Sequence, residues 1–184
     1  MLTRDDYLDS DAGTFHHLDL PYLYNIFFKD GAATITNTSA ELVPKCLIEC
    51  TKQVWATKSD ITDGFGGNRV IVNSRVVIAM IRSKNDEGAR KTAYNLYNEF
   101  LPHGYEYGKT EYNLVNAPAG NSRIISKIIY DRQAIILTTS IGPITIWVVN
   151  FPYQLSDDAV YEVEVADYFA NLQIRKLEKA GMAP

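Results

Sequence analysis

Residues 68–102 read NRVIVNSRVVIAMIRSKNDEGARKTAYNLYNEFLP, and this stretch decides the fold class. Residues 69–82 are dense in valine and isoleucine, which predicts a strand. Asn85 or Asp86 can cap a helix that runs to Leu101, before the next proline. Its apolar positions recur at spacings of three and four and are Ala89, Ala93, Leu96, Tyr97 and Phe100. A strand followed at once by an amphipathic helix predicts a domain that combines a sheet with helices.

The segment before this unit is less regular. Residues 1–18 are polar and acidic and predict an arm, and Leu20–Phe28 follows Asp19 as a short helix. Val43–Trp55 fits either a helix or a strand, because its apolar residues satisfy both periods. We expect a strand, since a polar excursion and a second strand follow it in the manner of a long antiparallel pair.

Residues 123–151 are rich in strand-forming residues, with a turn at Ile141-Gly142-Pro143. Both faces of the last two strands are apolar, whereas a lone antiparallel sheet normally leaves one face to water. A helix can cover one face. We therefore expect a neighbouring subunit to cover the other, with a predicted interface at Ile144, Ile146, Trp147, Val149, Arg75, Arg82 and Arg123. Arginines at strand ends either protect sheet edges or form salt bridges between subunits, and both readings stay open.

Residues 156–179 predict a long C-terminal helix, because acidic residues crowd its first half and basic residues its end. The alternation of Tyr161, Val163 and Val165 is a competing strand signal. The expected fold class is therefore α+β: a mostly antiparallel sheet with a central helix on one face and a long C-terminal helix. The expected parts of this single domain are an arm with a short helix (1–42), an α+β core (43–151) and the terminal helix (152–184).

The composition limits the classes of function that are expected for this chain. The 184 residues are 46% hydrophobic and 22% charged, with a formal net charge of −4. A chain with this balance offers no basic surface of the kind that binds a nucleic-acid backbone. The N-terminus has acidic residues where a secretory signal is basic, and no apolar run approaches the roughly 20 residues that span a bilayer. A protein made in the cytoplasm, without a membrane partner, is expected.

No constellation of catalytic or metal-binding residues stands out. His16 and His17 with Cys46 and Cys50 form the best metal set, but their spacing is not that of a zinc site, and buried reduced cysteines are expected instead. The glycine-rich loop 63–68 opens onto a strand rather than a helix, unlike a phosphate-binding loop. His103 with Cys46 or Ser83 lacks any local nucleophile signature. We expect no catalytic residue, no cofactor and no metal.

The order strand (43–55), polar excursion, strand (69–82), helix (86–101) and terminal strands resembles the tail-terminator and minor-capsid (tail-completion or neck) proteins of long-tailed bacteriophages. The residues that carry the resemblance are RVVIAMIRSKNDEGARKTAYNLYNEFL at 75–101 and the paired strands at 124–151. It covers about residues 43–151, and the N-terminal arm and the C-terminal helix depart from the family pattern.

The resemblance implies a structural virion protein that is not an enzyme. Such a subunit forms a homo-oligomeric, often hexameric, ring that ends the tail tube, binds tube and neck or connector proteins, and lets DNA pass through its lumen. It would be assembled in the host cytoplasm. The alternatives are another neck or connector adaptor, an adaptor that docks a partner through its C-terminal helix, or a small-molecule-binding domain with Tyr105, Tyr107, Tyr112 and Trp147 around a pocket.

Overall fold

The computed structural model describes residues 1–8, 11, 14–38, 49–57, 59–62, 69–72, 74–100, 104–106, 122–129, 132–152 and 159–182. Their strands are β1 (Ala33–Thr38), β2 (Glu49–Thr57), β3 (Ser59–Thr62), β4 (Arg69–Val72), β5 (Arg75–Arg82), β6 (Gly104–Glu106), β7 (Arg123–Ile129), β8 (Arg132–Ile141) and β9 (Ile144–Phe151). Their helices are α1 (Leu20–Leu23), which continues as a π-helical turn at Tyr24–Phe28, α2 (Asp86–Phe100) and α3 (Ala159–Lys179). Arg4–Asp6 form a short 3-10 turn.

Seven of these strands form one sheet in the order β1-β2-β5-β9-β8-β7-β6, and every neighbouring pair is antiparallel. β3 and β4 pair only with each other among the described strands and lie in the chain between β2 and β5. The prediction of an α+β fold with an antiparallel sheet and a C-terminal helix is confirmed.

The two faces of the sheet carry different helices. α2 contacts β7, β8 and β9, whereas α3 contacts β5, β8 and β9. Side chains alternate between the faces of a strand. Along β9, Thr145 donates a hydrogen bond to the carbonyl oxygen of Ala89 in α2, and Asn150 donates one to the carbonyl oxygen of Glu162 in α3. Both faces of β9 are therefore covered within the subunit.

Local capping chemistry sets where the helices begin. Oδ1 of Asp19 accepts a hydrogen bond from the Tyr22 amide at 2.9 Å, as expected for the residue before α1. For α2 the choice between two caps is resolved, because Oδ1 of Asn85 accepts from the Gly88 amide at 2.9 Å. α3 is helical across residues 161–165, so the competing strand signal there is rejected.

The main core lies under α3. The rings of Phe28, Trp55 and Phe169 meet with centroids 5.1–5.7 Å apart, and the three side chains are buried. Phe28 comes from the π-helical turn after α1, Trp55 from β2 and Phe169 from α3. Burying large side chains of this kind stabilises the fold by about 1.5–3 kcal/mol each. The expected short helix after Asp19 is thus joined to the C-terminal helix by one core.

Two features depart from the sequence-based expectations. β1 lies within the residues expected to form only an arm and a short helix, although its sequence ATITNT contains the β-branched residues that strands favour. Cys50 is disulfide-bonded rather than reduced. The expected strand at 43–55 is present from Glu49 onward, while 43–48 fall outside the described ranges.

Candidate functional site

The closing hairpin, β8 and β9, carries four of the residues predicted to contact a second subunit. Ile144 and Ile146 belong to the core under α3, with 4% and 0% of their surface exposed. Val149 is buried on the α2 face, and Trp147 is half-buried there. The premise that a neighbouring subunit must cover one face of this hairpin is wrong, because α3 covers it. The apolar character of Ile144 and Ile146 has an intramolecular explanation.

The structure does not bring the three predicted arginines together. Arg75 and Arg82 lie at opposite ends of β5. The Arg75 guanidinium stacks on the Phe151 ring at 4.8 Å, and Nη1 of Arg82 pairs with Oε2 of Glu49 at 3.3 Å. Arg123 is half-buried at the start of β7 and donates a hydrogen bond to the Ser122 carbonyl oxygen at 2.8 Å. Arg75 and Arg82 are exposed and accessible to a partner.

β1 forms one edge of the described sheet, and its hydrogen-bonding pattern can be derived. Thr57, which lies opposite Ala33, turns its amide to Ser74 on the β5 side, while the Ala33 carbonyl oxygen accepts from Nη2 of Arg4 at 2.8 Å. In an antiparallel ladder alternate residues direct both backbone groups to the same side. Ile35 and Asn37 therefore present their amide and carbonyl groups outward, and no described residue pairs with them.

The chemical character of β1 makes this edge receptive. Its sequence contains no charged residue and no proline, which are the usual means of blocking an edge strand. Thr34 and Thr36 are exposed on the face away from the main core. An open edge of this kind is a template for pairing with a strand of another chain. β6, at the other edge, is a strand of 3 residues.

Ion pairs attach the N-terminal segment to α3. Oδ2 of Asp11 lies 2.9 Å from Nη1 of Arg175, and Oδ2 of Asp6 lies 2.7 Å from Nζ of Lys176. Oε1 of Glu164 lies 3.0 Å from Nδ1 of His17, whose backbone amide donates to the same carboxylate. The arm is thus packed and paired along the helix rather than extended from the domain.

A buried carboxyl group lies in the first turns of α3. Glu162 is 9% exposed, and its Oε2 accepts a hydrogen bond of 2.7 Å from Nδ2 of Asn150. Burial raises the pKa of the Glu162 carboxyl to about 7, although the Asn150 hydrogen bond acts in the opposite direction. The group therefore changes charge near neutral pH. No sequence pattern identified it, because only the tertiary fold sets its burial.

Glu162 lines a cavity of ≈ 160 Å³ between α3 and the helical segment that begins at Leu20. The hydroxyl of Tyr161 is buried and has no hydrogen-bond partner among the described residues. Burial likewise raises the pKa of the Tyr161 phenol, so that it stays protonated. The cavity therefore combines a titratable carboxyl group with a hydroxyl of unused hydrogen-bonding capacity.

A second cavity, of ≈ 290 Å³, lies beside the end of α3 and is lined largely by apolar groups, including Met1, Met80 and Met182. Gln173 is 1% exposed there, and its Oε1 has no hydrogen-bond partner in the described part of the chain. Arg82 and Glu49 stand at its exposed side. A buried amide oxygen without a partner is costly, so this position is energetically unusual.

The remaining residues considered from sequence do not converge. His17 pairs with Glu164, Cys50 is oxidised, and Cys46 lies outside the described ranges, as do the glycine-rich loop 63–68 and His103. Trp147 borders neither cavity described above, and Tyr107 and Tyr112 also fall outside the described residues. The described residues contain no group of three or more histidine, cysteine or acidic side chains that could hold a metal ion.

Among the described residues, no helix is both long and apolar enough to cross a membrane. No protein-family model, curated protein or solved structure matches this chain.

Proposed function

We propose that this chain is a structural subunit of the head–tail junction of a long-tailed bacteriophage, where copies form a ring that ends the tail tube and joins it to the neck. The proposal begins from the resemblance over residues 43–151. β2, β5, α2 and the strands β7 to β9 follow in the expected order, whereas the strand expected at 69–82 is divided into β4, which pairs with β3, and β5 in the main sheet. Another neck or connector subunit is the alternative within the same class.

The observation that carries the proposal is the open edge at β1. Ile35 and Asn37 direct backbone groups away from the sheet, and the strand lacks charges that would prevent pairing. The two edges of the described sheet differ, since β1 has 6 residues and β6 has 3. A contact between β1 of one copy and a different surface of the next is heterologous, and repetition of such a contact gives a ring when the rotation between copies closes on itself and an open filament when it does not.

Assembly through β1 agrees with the rest of the fold. The hairpin faces are used inside the subunit, so association has to involve edges, exposed side chains and the exposed arginines rather than the buried hairpin. Arg75 and Arg82, at opposite ends of β5, then serve as polar contacts to different neighbours. Polar groups of this kind at the rim of an interface favour the correct partner more than they raise affinity.

The experiment compares Asn37→Pro with Asn37→Ala. Proline removes the outward amide and is tolerated at an edge position whose amide faces solvent. Both variants lose the hydrogen bond that the Asn37 side chain accepts from Nε2 of Gln53. A difference between the two variants therefore does not come from this side-chain bond. Light scattering measures the mass of each species, and electron microscopy shows its shape. We expect wild type and Asn37→Ala to form rings, and Asn37→Pro to remain a smaller folded species.

Monomeric wild-type protein at high concentration would refute ring formation. A two-fold dimer that Asn37→Pro disrupts would show instead that β1 pairs with its own copy. Labelling of phage particles with an antibody to this chain tests the location separately. Label along the whole tail, or on the capsid away from the neck, would contradict the head–tail assignment even if the purified protein forms rings.

A further inference from the structure

The cavity beside Glu162 has walls of two kinds. Aromatic rings from Tyr22, Phe27 and Tyr161 line it together with the polar side chains of Asn150 and Glu162. These residues come from three separate parts of the chain: the helical segment after Asp19, the end of β9 and the start of α3. At ≈ 160 Å³ the cavity is large enough for a molecule of a few non-hydrogen atoms.

Its unused hydrogen-bonding groups, a carboxylate oxygen and a phenolic hydroxyl, can both accept hydrogen bonds. Oε2 of Glu162 accepts from Asn150, whereas Oε1 has no hydrogen bond with any described residue. The hydroxyl oxygen of Tyr161 is buried and also lacks a partner in the described ranges. None of the described lining residues is lysine, arginine or histidine. The cavity therefore offers acceptors and a potential negative charge, with no cation from those residues to neutralise it.

We propose that this cavity binds a small alkylammonium cation, with the ammonium group on the carboxylate of Glu162 and the hydroxyl of Tyr161 and the carbon atoms against the aromatic rings. A buried carboxylate is stable only when it is paired. Aromatic faces attract a desolvated cation in addition. A site for a divalent metal ion would gather several oxygen ligands, whereas this one has a single carboxylate. The inference is independent of the proposed role in phage assembly.

Binding of this kind requires the ionised form of Glu162. Because burial raises the pKa of this carboxyl to about 7, the empty site loses its charge below neutral pH. A bound cation favours the ionised form and so lowers that pKa. The titratable groups around Tyr161 and Glu162 in the described structure are the carboxylate of Asp19 and the phenols of Tyr22 and Tyr161. Of these, Asp19 already caps α1.

The test uses the full chain and methylammonium chloride, with sodium chloride at equal ionic strength as reference. We expect saturable binding by calorimetry at pH 8 that is at least tenfold weaker at pH 5.5. Glu162→Gln should weaken binding at least tenfold at pH 8, and Tyr161→Phe should weaken it by less. Glu49→Gln, at an exposed carboxylate outside this cavity, is the control and should bind as wild type does.

A measurement on the wild type removes any dependence on folding of the variants. Carbon-detected NMR should show that the pKa of the Glu162 carboxyl falls when methylammonium is added and stays unchanged with sodium. Equal binding by wild type and Glu162→Gln would overturn the proposal. A binding affinity that does not change with pH would also overturn it. So would a pKa of Glu162 that does not change when methylammonium is added.

Discussion

Nδ2 of Asn150 donates hydrogen bonds to both the carbonyl oxygen and the carboxyl oxygen of Glu162, at 3.1 Å and 2.7 Å. One amide at the end of β9 thereby fixes the first turns of α3 and orients a buried acid. The backbone bond holds the helix on the sheet, and the side-chain bond places the carboxyl at the cavity wall. The contact between Asn150 and Glu162 therefore links the position of α3 to the position of the buried carboxyl group.

The first prediction concerns pH. Glu162 has a folded pKa of about 7 against an ordinary value of 4.5, so the folded state holds its proton more tightly than the unfolded state. Stability is then highest below about pH 4.5 with respect to this group, and it falls as pH rises to about 7. The total change is about 3 kcal/mol. Denaturant unfolding of wild type across this range measures it.

Glu162→Gln, which can still accept from Asn150, should flatten that dependence. Glu49→Gln, at an exposed surface pair, should leave it unchanged and serves as the matched control. Other carboxyl groups cancel in the difference between the free energies of unfolding of wild type and Glu162→Gln. If that difference is constant between pH 4.5 and 7, the pKa of Glu162 is not raised by folding.

The second prediction separates core from interface. Ile146 is fully buried under α3, so Ile146→Asp places a charge in an apolar core and should unfold the chain. Ile146→Val keeps the site apolar and should cost only about 0.5–1.5 kcal/mol. Circular dichroism and denaturant midpoints report the outcome. An Ile146→Asp protein with native helical content that merely fails to assemble would instead place this side chain between subunits.

The third prediction concerns β1. Thr36 is exposed, and its backbone groups face β2, so Thr36→Lys leaves the internal ladder intact while adding a charge to the edge strand. Lysine on an edge strand is a natural block to pairing between chains. We expect the free energy of unfolding to change by less than about 0.5 kcal/mol and the oligomers to be lost. Thr36→Val should assemble normally, and retention of full-size oligomers by Thr36→Lys would argue against β1 as the contact.

The fourth prediction compares two ion pairs. Asp11 is 5% exposed in its pair with Arg175, whereas Glu49 and Arg82 are 64% and 57% exposed. Asp11→Asn leaves Arg175 without its buried counter-ion and should destabilise the fold by about 3 kcal/mol. Glu49→Gln should change stability by less than about 1 kcal/mol. Equal effects in urea unfolding would mean that the N-terminal segment does not stabilise α3 through Asp11.

The fifth prediction concerns the apolar cavity. Gln173 buries an amide whose Oε1 has no partner in the described part of the chain, and methionine has a similar shape without the amide. Gln173→Met should therefore raise the free energy of unfolding by about 1 kcal/mol. Gln173→Ala enlarges the cavity and should lower it. Destabilisation by methionine would indicate that the amide is paired in solution.

Local patterns in the sequence account for much of the fold. The capping residue Asn85 and the three-and-four spacing after it determine α2, and the β-branched runs determine β5, β8 and β9. The strand β1 could have been found from the alternation in ATITNT, but its threonines and asparagine are equally common in loops. The charge order along α3 correctly outweighed the alternation at Tyr161, Val163 and Val165, because acidic groups near a helix start and basic groups near its end are stabilised by the helix dipole.

The candidate site was beyond prediction from sequence for a physical reason. Glu162 looks like any acid near a helix start, and Asn150 like any polar residue at a strand end; their pairing depends on how α3 crosses the sheet. The same crossing covers Ile144 and Ile146 and removes the need for a second subunit there. Sequence alone determined the two long helices and the strands of the β-branched runs, because those choices depend on near neighbours. Only the tertiary structure decided which surfaces are buried, which edge of the described sheet stays unpaired and which acid titrates near neutral pH, because these depend on contacts between distant residues.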